Sequence, residues 1–199
     1  NNVGQRNRFC SLLIFRPEEH ERALGRGFRV KPHRESAGEG QGLLSLHHHE
    51  FYADTMRALI LGSRSDIAAD LQVMMVEDGW TIRGWHRGAR HLPQSKWNLC
   101  LITLGCLAPV GHWAEIDQKE FDACVQSNAL LPLKLLRDVW YLREPNASVC
   151  FFGGSNPQKL MAGYSAYNFA KMGLLKLVEQ LDLETPDAKI FVLGPGYIP

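Results

Sequence analysis

From residue 56 onward the sequence predicts an α/β domain built on a doubly wound, mostly parallel sheet. Two observations carry that expectation. Short β-branched and leucine-rich runs alternate with amphipathic segments, the pattern left by strands and helices taking turns. The first run, Arg57-Ala-Leu-Ile-Leu-Gly62, also passes through a single glycine into a helical repeat, as a strand does when it hands over to the helix that covers it. With 199 residues, 45% of them hydrophobic, the chain can bury one sizeable core.

The elements follow in order. Ile67, Leu71, Met74 and Met75 share one face of a helix predicted from Asp66 to Asp78. A second strand spans Trp80 to Trp85, and polar His86 to Lys96 leads to the apolar run Leu99 to Leu104. Asp117, with Glu120 three residues on, reads as a capping box, and the helix it opens is expected to reach Leu142 with a kink at Pro132. Pro145-Asn146 breaks it. Ser148 to Phe152 is a buried strand, Gly153 to Gly163 a loop, Tyr164 to Leu183 a long amphipathic helix, and Lys189 to Leu193 the last strand before Gly194-Pro195-Gly196. Residues 1–55 have another character: arginines alternate with glycines and glutamates, and the only apolar clusters are Leu12 to Phe15 and Leu43 to Leu46. They are expected to be a poorly ordered extension that adds little stability, with Met56 a candidate start for the domain 56–199.

Composition narrows the function classes. A net charge of +1 with 22% charged residues argues against a dedicated nucleic-acid binder. No apolar run reaches the roughly 20 residues that cross a bilayer, and the amino-terminal charges interrupt any signal-peptide core. The cysteines Cys10, Cys100, Cys106, Cys124 and Cys150 are odd in number and include no C-x-x-C pair, so free thiols in a cytoplasmic protein are expected. His47-His48-His49-Glu50 is not assigned to a metal, because adjacent histidines cannot all face one ion from a regular element.

Four places could carry chemistry. In Tyr167-Asn-Phe-Ala-Lys171 the phenol and the ammonium project from one helix face about 6 Å apart, so the cation could stabilise a phenolate and lower a pKa normally about 10. The same spacing fits an amphipathic helix with one ring and one solvated lysine. Gly62-Ser-Arg-Ser-Asp-Ile-Ala68 stands where a phosphate would meet backbone N–H groups and the positive end of a helix, or is an ordinary strand-to-helix turn. Ser155 follows a buried strand and precedes Tyr167 by twelve residues, close enough for both hydroxyls to face one carbonyl oxygen; it also reads as a loop serine beside Pro157. Asn128 is a polar guest in an apolar helix, or simply an exposed amide.

Taken in this order, with a strand ending in Pro195-Gly196, these parts resemble the short-chain dehydrogenase/reductase family from Met56 to Pro199. The resemblance implies a Rossmann-like sheet and hydride transfer between a nicotinamide cofactor and a carbonyl or alcohol substrate. It implies that Tyr167 is the general acid or base, that Lys171 holds the nicotinamide ribose and tunes Tyr167, that Ser155 polarises the carbonyl, and that Asn128 completes a proton relay. Gly62, Ser63, Arg64, Asp66, Ile67, Arg87, Gly105, Lys171, Pro195 and Gly196 would contact the cofactor. Because strand two ends in His86-Arg87 with no carboxylate, a 2′-phosphate fits there and NADP is expected, with NAD as the alternative. The family's helix with the tyrosine packs on its copy in another subunit, so Ala170, Leu174, Leu177, Val178 and Leu181 would mediate a homo-oligomer, unless that stripe faces the sheet.

The sequence also departs from the family. Asp66 and Ala68 hold the second and third glycine positions of the turn, Thr103-Leu104-Gly105 replaces Asn-Ala-Gly, and Gly154 holds the usual place of the serine. The segment from Arg87 to Asn98 is too short for the family's helix, strand and helix, so its third strand is expected to be missing and the adenine to find another partner, His91 or Gln94. His112-Trp113 lies where the substrate pocket would begin. The chain stops at Pro199, where the family continues, and so resembles a truncated form. A non-catalytic nucleotide-binding or interaction module on the same fold is the competing expectation.

Overall fold

The computed structural model describes residues 56–154 and 161–194. The extension 1–55, His47 to Glu50, Cys10, Ser155, Pro195 and Gly196 lie outside the described residues.

Five strands form one parallel sheet: β1 (Arg57–Leu61), β2 (Thr81–Trp85), β3 (Trp97–Ile102), β4 (Arg143–Phe152) and β5 (Lys189–Leu193), in the order β2-β1-β3-β4-β5. The chain steps from β1 to β2 on one side and returns to place β3 on the other. That reversal opens a crevice at the carboxyl ends of β1 and β3. Among the described residues no strand lies between β2 and β3, so β2 is the edge, as the shortened segment predicts.

Alternate residues of the strands feed two cores, one on each face. Leu59, Leu61, Cys100, Ile102, Val149, Phe151 and Ile190 pack on one side, while Ala58, Ile60, Leu101, Cys150 and Phe152 pack on the other. The second face is covered by α1 (Asp66–Glu77) through Ala68, Met75, Ile67 and Leu71. The first is covered by α2 (Gln118–Val125), α3 (Leu131–Val139) and α4 (Ser165–Glu184). No described helix is long and apolar enough to cross a membrane.

Three local expectations are corrected. The helix drawn from Asp117 to Leu142 is not one α-helix: a π-helical turn, Gln126–Leu130, separates α2 from α3, and a 3-10 turn, Trp140–Leu142, ends the run. Pro132 has no N–H to return to the Asn128 carbonyl and its ring crowds that group, so the backbone widens and Leu131 N–H reaches the Gln126 carbonyl five residues back. Asp117 does cap α2, but its carboxylate accepts from Lys119 N–H at 2.8 Å rather than from Glu120. β4 begins at Arg143 and absorbs Pro145 and Asn146, because its register against β3 shifts between the Trp97–Arg143 and Leu99–Ser148 pairs, and an irregular stretch tolerates a missing donor. The apolar stripe of α4 faces the sheet: Ala170, Leu174 and Val178 are buried in the first core. They are therefore not a surface for a second copy.

Candidate active site

Where β1 ends, the backbone must turn sharply beneath β3. Gly62 has φ of +105°, and a Cβ there would sit 2.6 Å from Thr103 Oγ1 and 3.1 Å from Leu104 N. Only glycine fits. Thr103 supplies the tie that the altered Thr-Leu-Gly sequence still needs, its hydroxyl donating to the Gly62 carbonyl at 2.9 Å. Gly62 and Ser63 N–H both donate to the Trp85 carbonyl, at 2.8 and 2.9 Å, which fastens the turn to the end of β2. Ser63 rests on Gly84, where a Cβ would come within 2.6 Å of its own. Ser65 caps α1 by accepting from Ala68 N–H at 3.2 Å.

Above this turn lies a cleft of about 300 Å³ lined by Gly62, Arg64, Ser65, His86, Arg87 and Gly88, and by Thr103, Leu104 and Gly105. Of the expected cofactor contacts, Gly62, Arg64, Arg87 and Gly105 therefore meet in one place. Ser63 is committed to the β2 turn, Ile67 packs in the second core, and Asp66 is exposed at the start of α1 without lining the cleft. Gln94 accepts from the Tyr141 hydroxyl, and neither it nor His91 lines the cleft. Ser65, Gly88, Thr103 and Leu104 are lining residues that sequence reasoning did not assign. Their signal is positional: Ser65, Gly88 and Leu104 each neighbour an expected contact, and Thr103 stands two positions before Gly105.

The wall at Gly105 is backed by Asn128. This side chain is fully buried, not exposed, and every polar atom is used. Its Oδ1 accepts from Cys106 N–H at 3.3 Å, and its Nδ2 donates to the carbonyls of Cys106 and Cys124 at 2.8 and 3.0 Å. The amide thus binds the loop after β3 to the end of α2, in the turn that Pro132 widens. Gly105 makes the approach feasible, since a Cβ there would lie 2.8 Å from Asn128 Oδ1 and 3.5 Å from Lys171 Nζ.

Lys171 is 6% exposed and donates to the Phe152 carbonyl at 2.8 Å. Burial pushes its pKa down to about 8, against a smaller opposing effect of Cys106 and Cys124. The ammonium also lies 5.9 Å from the centre of the Tyr167 ring. Tyr167 is half-buried, and a Cβ on Gly154 would stand 3.1 Å from its hydroxyl. Burial raises the Tyr167 pKa, and Cys124 adds to the rise. The expected lowering by Lys171 is not seen: the ammonium is turned to the Phe152 carbonyl, and desolvation of the phenolate dominates. Trp113 stands 73% exposed on the loop after β3, whose Gly111 N–H donates to the Gly163 carbonyl just before α4. The loop that carries His112-Trp113 is thereby held near the start of the Tyr167 helix.

Comparison with solved structures matches this arrangement of strands and helices. A small-chain dehydrogenase superposes with a TM-score of 0.65 at 13% identity, over 70% of this chain and 81% of its own. The fold is that of the short-chain dehydrogenases. A short-chain dehydrogenase/reductase from Saccharomyces cerevisiae gives a TM-score of 0.64 at 16% identity, over 72% of this chain and 71% of its own. A small-chain dehydrogenase in complex with NADPH gives 0.63 at 14% identity, over 70% and 69% respectively. No family model matches the sequence, and no curated protein matches it either. The short-chain dehydrogenase likeness is one of structure, and function has to be argued from the site.

Proposed function

We propose that this chain is a nicotinamide-dependent oxidoreductase that interconverts a carbonyl and an alcohol, with Tyr167 as general acid and base. The observation that carries the reading is that Gly105, which lines the cleft with Arg64 and Arg87, stands against Asn128 and Lys171, and that the Lys171 ammonium lies 5.9 Å from the centre of the Tyr167 ring. A buried lysine is costly, and its retention one helical turn from a half-buried tyrosine argues for a ligand that needs the charge. The residues present fit a dinucleotide. Gly62 and Gly105 leave room for close approach of backbone, the amino end of α1 suits a phosphate, and Arg64 and Arg87 suit a 2′-phosphate, which favours NADP over NAD.

When bound, the nicotinamide supplies or accepts the hydride. In reduction, Tyr167 donates its proton to the substrate oxygen, and its raised pKa keeps it protonated for that task. The Lys171 ammonium stabilises the negative charge that grows on oxygen and would hold the ribose hydroxyls. Ser155 is the proposed second donor to the carbonyl. Asn128 fixes the distance between the Gly105 loop and the helices, and so acts on the relay by position. In this reading the protein is cytoplasmic and homo-oligomeric.

One observation favours a second reading, a nucleotide-binding module without catalysis: the backbone beside the Tyr167 hydroxyl belongs to Gly154, which has no side chain to help polarise a carbonyl. Tyr167→Phe separates the two. For the enzyme, turnover falls by about 10² to 10⁴ while NADPH affinity stays within a few fold. Carbonyl reduction that survives in Tyr167→Phe removes Tyr167 from the mechanism.

A further inference from the structure

Two thiols meet behind the same wall. Cys106 lies on the loop after β3 and Cys124 near the end of α2, eighteen positions apart in the chain. Their sulfurs lie 3.7 and 3.4 Å from one atom, Asn128 Nδ2. Cys106 is partly exposed and Cys124 is buried behind it, so an oxidant from solvent reaches the first sulfur and the second is placed to resolve it. Burial pushes the Cys124 thiol up, and Lys171 offsets a small part of that rise. The other described cysteines have no such arrangement. Cys100 and Cys150 belong to cores on opposite faces of the sheet, and burial pushes both thiols up.

We propose that Cys106 and Cys124 are a reversible thiol-oxidation site that reads a peroxide and reshapes the Gly105 loop. The Cys106 thiolate attacks one peroxide oxygen, the O–O bond breaks, and the sulfur is oxidised to a sulfenic acid while the peroxide is reduced to water or an alcohol. The Cys124 sulfur then bonds to the Cys106 sulfur, the S–O bond breaks, and the departing hydroxide takes the Cys124 proton and leaves as water. Drawing the sulfurs to bonding distance shifts Cys106 against the amide that accepts and donates at its backbone, and Gly105 moves with it.

The test treats the intact chain with hydrogen peroxide, blocks free thiols and maps the peptides by mass. The expected result is a linked peptide containing Cys106 and Cys124, two hydrogens lighter than the separate peptides and released by dithiothreitol. In Cys124→Ser the link is lost and Cys106 goes on to the sulfinic acid. Sulfinic acid at Cys106 in the unmutated chain with Cys124 still free, or no oxidation of either, overturns the pair. The effect on the loop is read as NADPH affinity, which rests on the dinucleotide reading. The oxidised chain should bind about tenfold more weakly and recover on reduction, and an unchanged affinity with the disulfide formed overturns the coupling. A reduced chain that forms the disulfide but binds no NADPH counts against the dinucleotide reading and not against the thiol pair.

Discussion

The two ends of the sheet are built differently. At the amino ends of the strands, ion pairs and packed aromatic rings tie the elements together. Arg57 meets Glu144 at 2.6 Å, Arg143 meets Asp187 at 2.6 Å and lies over the Trp140 ring, and Trp97 is 1% exposed with its indole N–H on the Val139 carbonyl at 3.2 Å. At the carboxyl ends, glycines stand at 62, 84, 105 and 154, a cleft remains open, and an ammonium is buried on a single backbone carbonyl. One end is organised for stability. The other pays desolvation to keep a buried charge beside a cleft that bears Arg64 and Arg87, as expected of a site.

The largest effect separating the ends is that of Trp97→Ala. Loss of a buried indole costs about 3 to 5 kcal/mol, and the Val139 carbonyl left without a donor adds to it. Chemical denaturation should show that drop with NADPH affinity of the folded fraction unchanged. A matching loss of affinity would mean that the two ends are coupled through the strands.

Lys171 should produce the opposite behaviour. Its folded pKa, about 8, lies below the unfolded value of about 10.4, so between them the unfolded chain binds more protons. Its burial penalty is fully present below pH 8 and is relieved as pH rises, by about 1.4 kcal/mol per unit up to the unfolded value. Unfolding curves of the wild type minus those of Lys171→Met, taken from pH 7.5 to 9.5, should show that slope. A flat difference would place the ammonium in water.

A smaller change is expected at Arg87. Charge-assisted contact with a phosphate in a cleft gives roughly 1.5 to 3 kcal/mol, about ten- to a hundred-fold in affinity. Arg87→Asp should therefore reverse the preference for NADPH over NADH, and in the unmutated chain the preference should shrink as salt rises. Equal affinity of the two cofactors for the unmutated chain would place Arg87 in solvent.

The order of strands and helices was legible in the sequence because it rests on local periodicity, and the missing third strand was legible because the segment after Arg87 is too short to hold it. Gly62 and the Tyr167–Lys171 pair were legible for the same reason, since turn and helix spacing are local. What long-range contacts decide was not. The π-helical turn depends on Pro132 acting where Asn128 already grips Cys106, twenty-two positions away. The tilt of the α4 stripe onto the sheet depends on which face β3, β4 and β5 present, and the stripe alone fits either side. The rise in the Tyr167 pKa comes from burial and from Cys124, which lies on another element, while Lys171 turns to the Phe152 carbonyl.

Under the proposed function, the carboxyl end of this sheet binds a nicotinamide dinucleotide, with Gly62, Gly105, Arg64 and Arg87 at the cleft and Lys171 beside Gly105. A fluorescence titration of the intact chain with NADPH and with NADH tests it most directly. Saturable binding of both is expected, tighter for NADPH and weakened for both by Lys171→Ala, in which the ribose loses its cation. Absence of saturable binding by either cofactor, or binding that Lys171→Ala leaves unchanged, would contradict it.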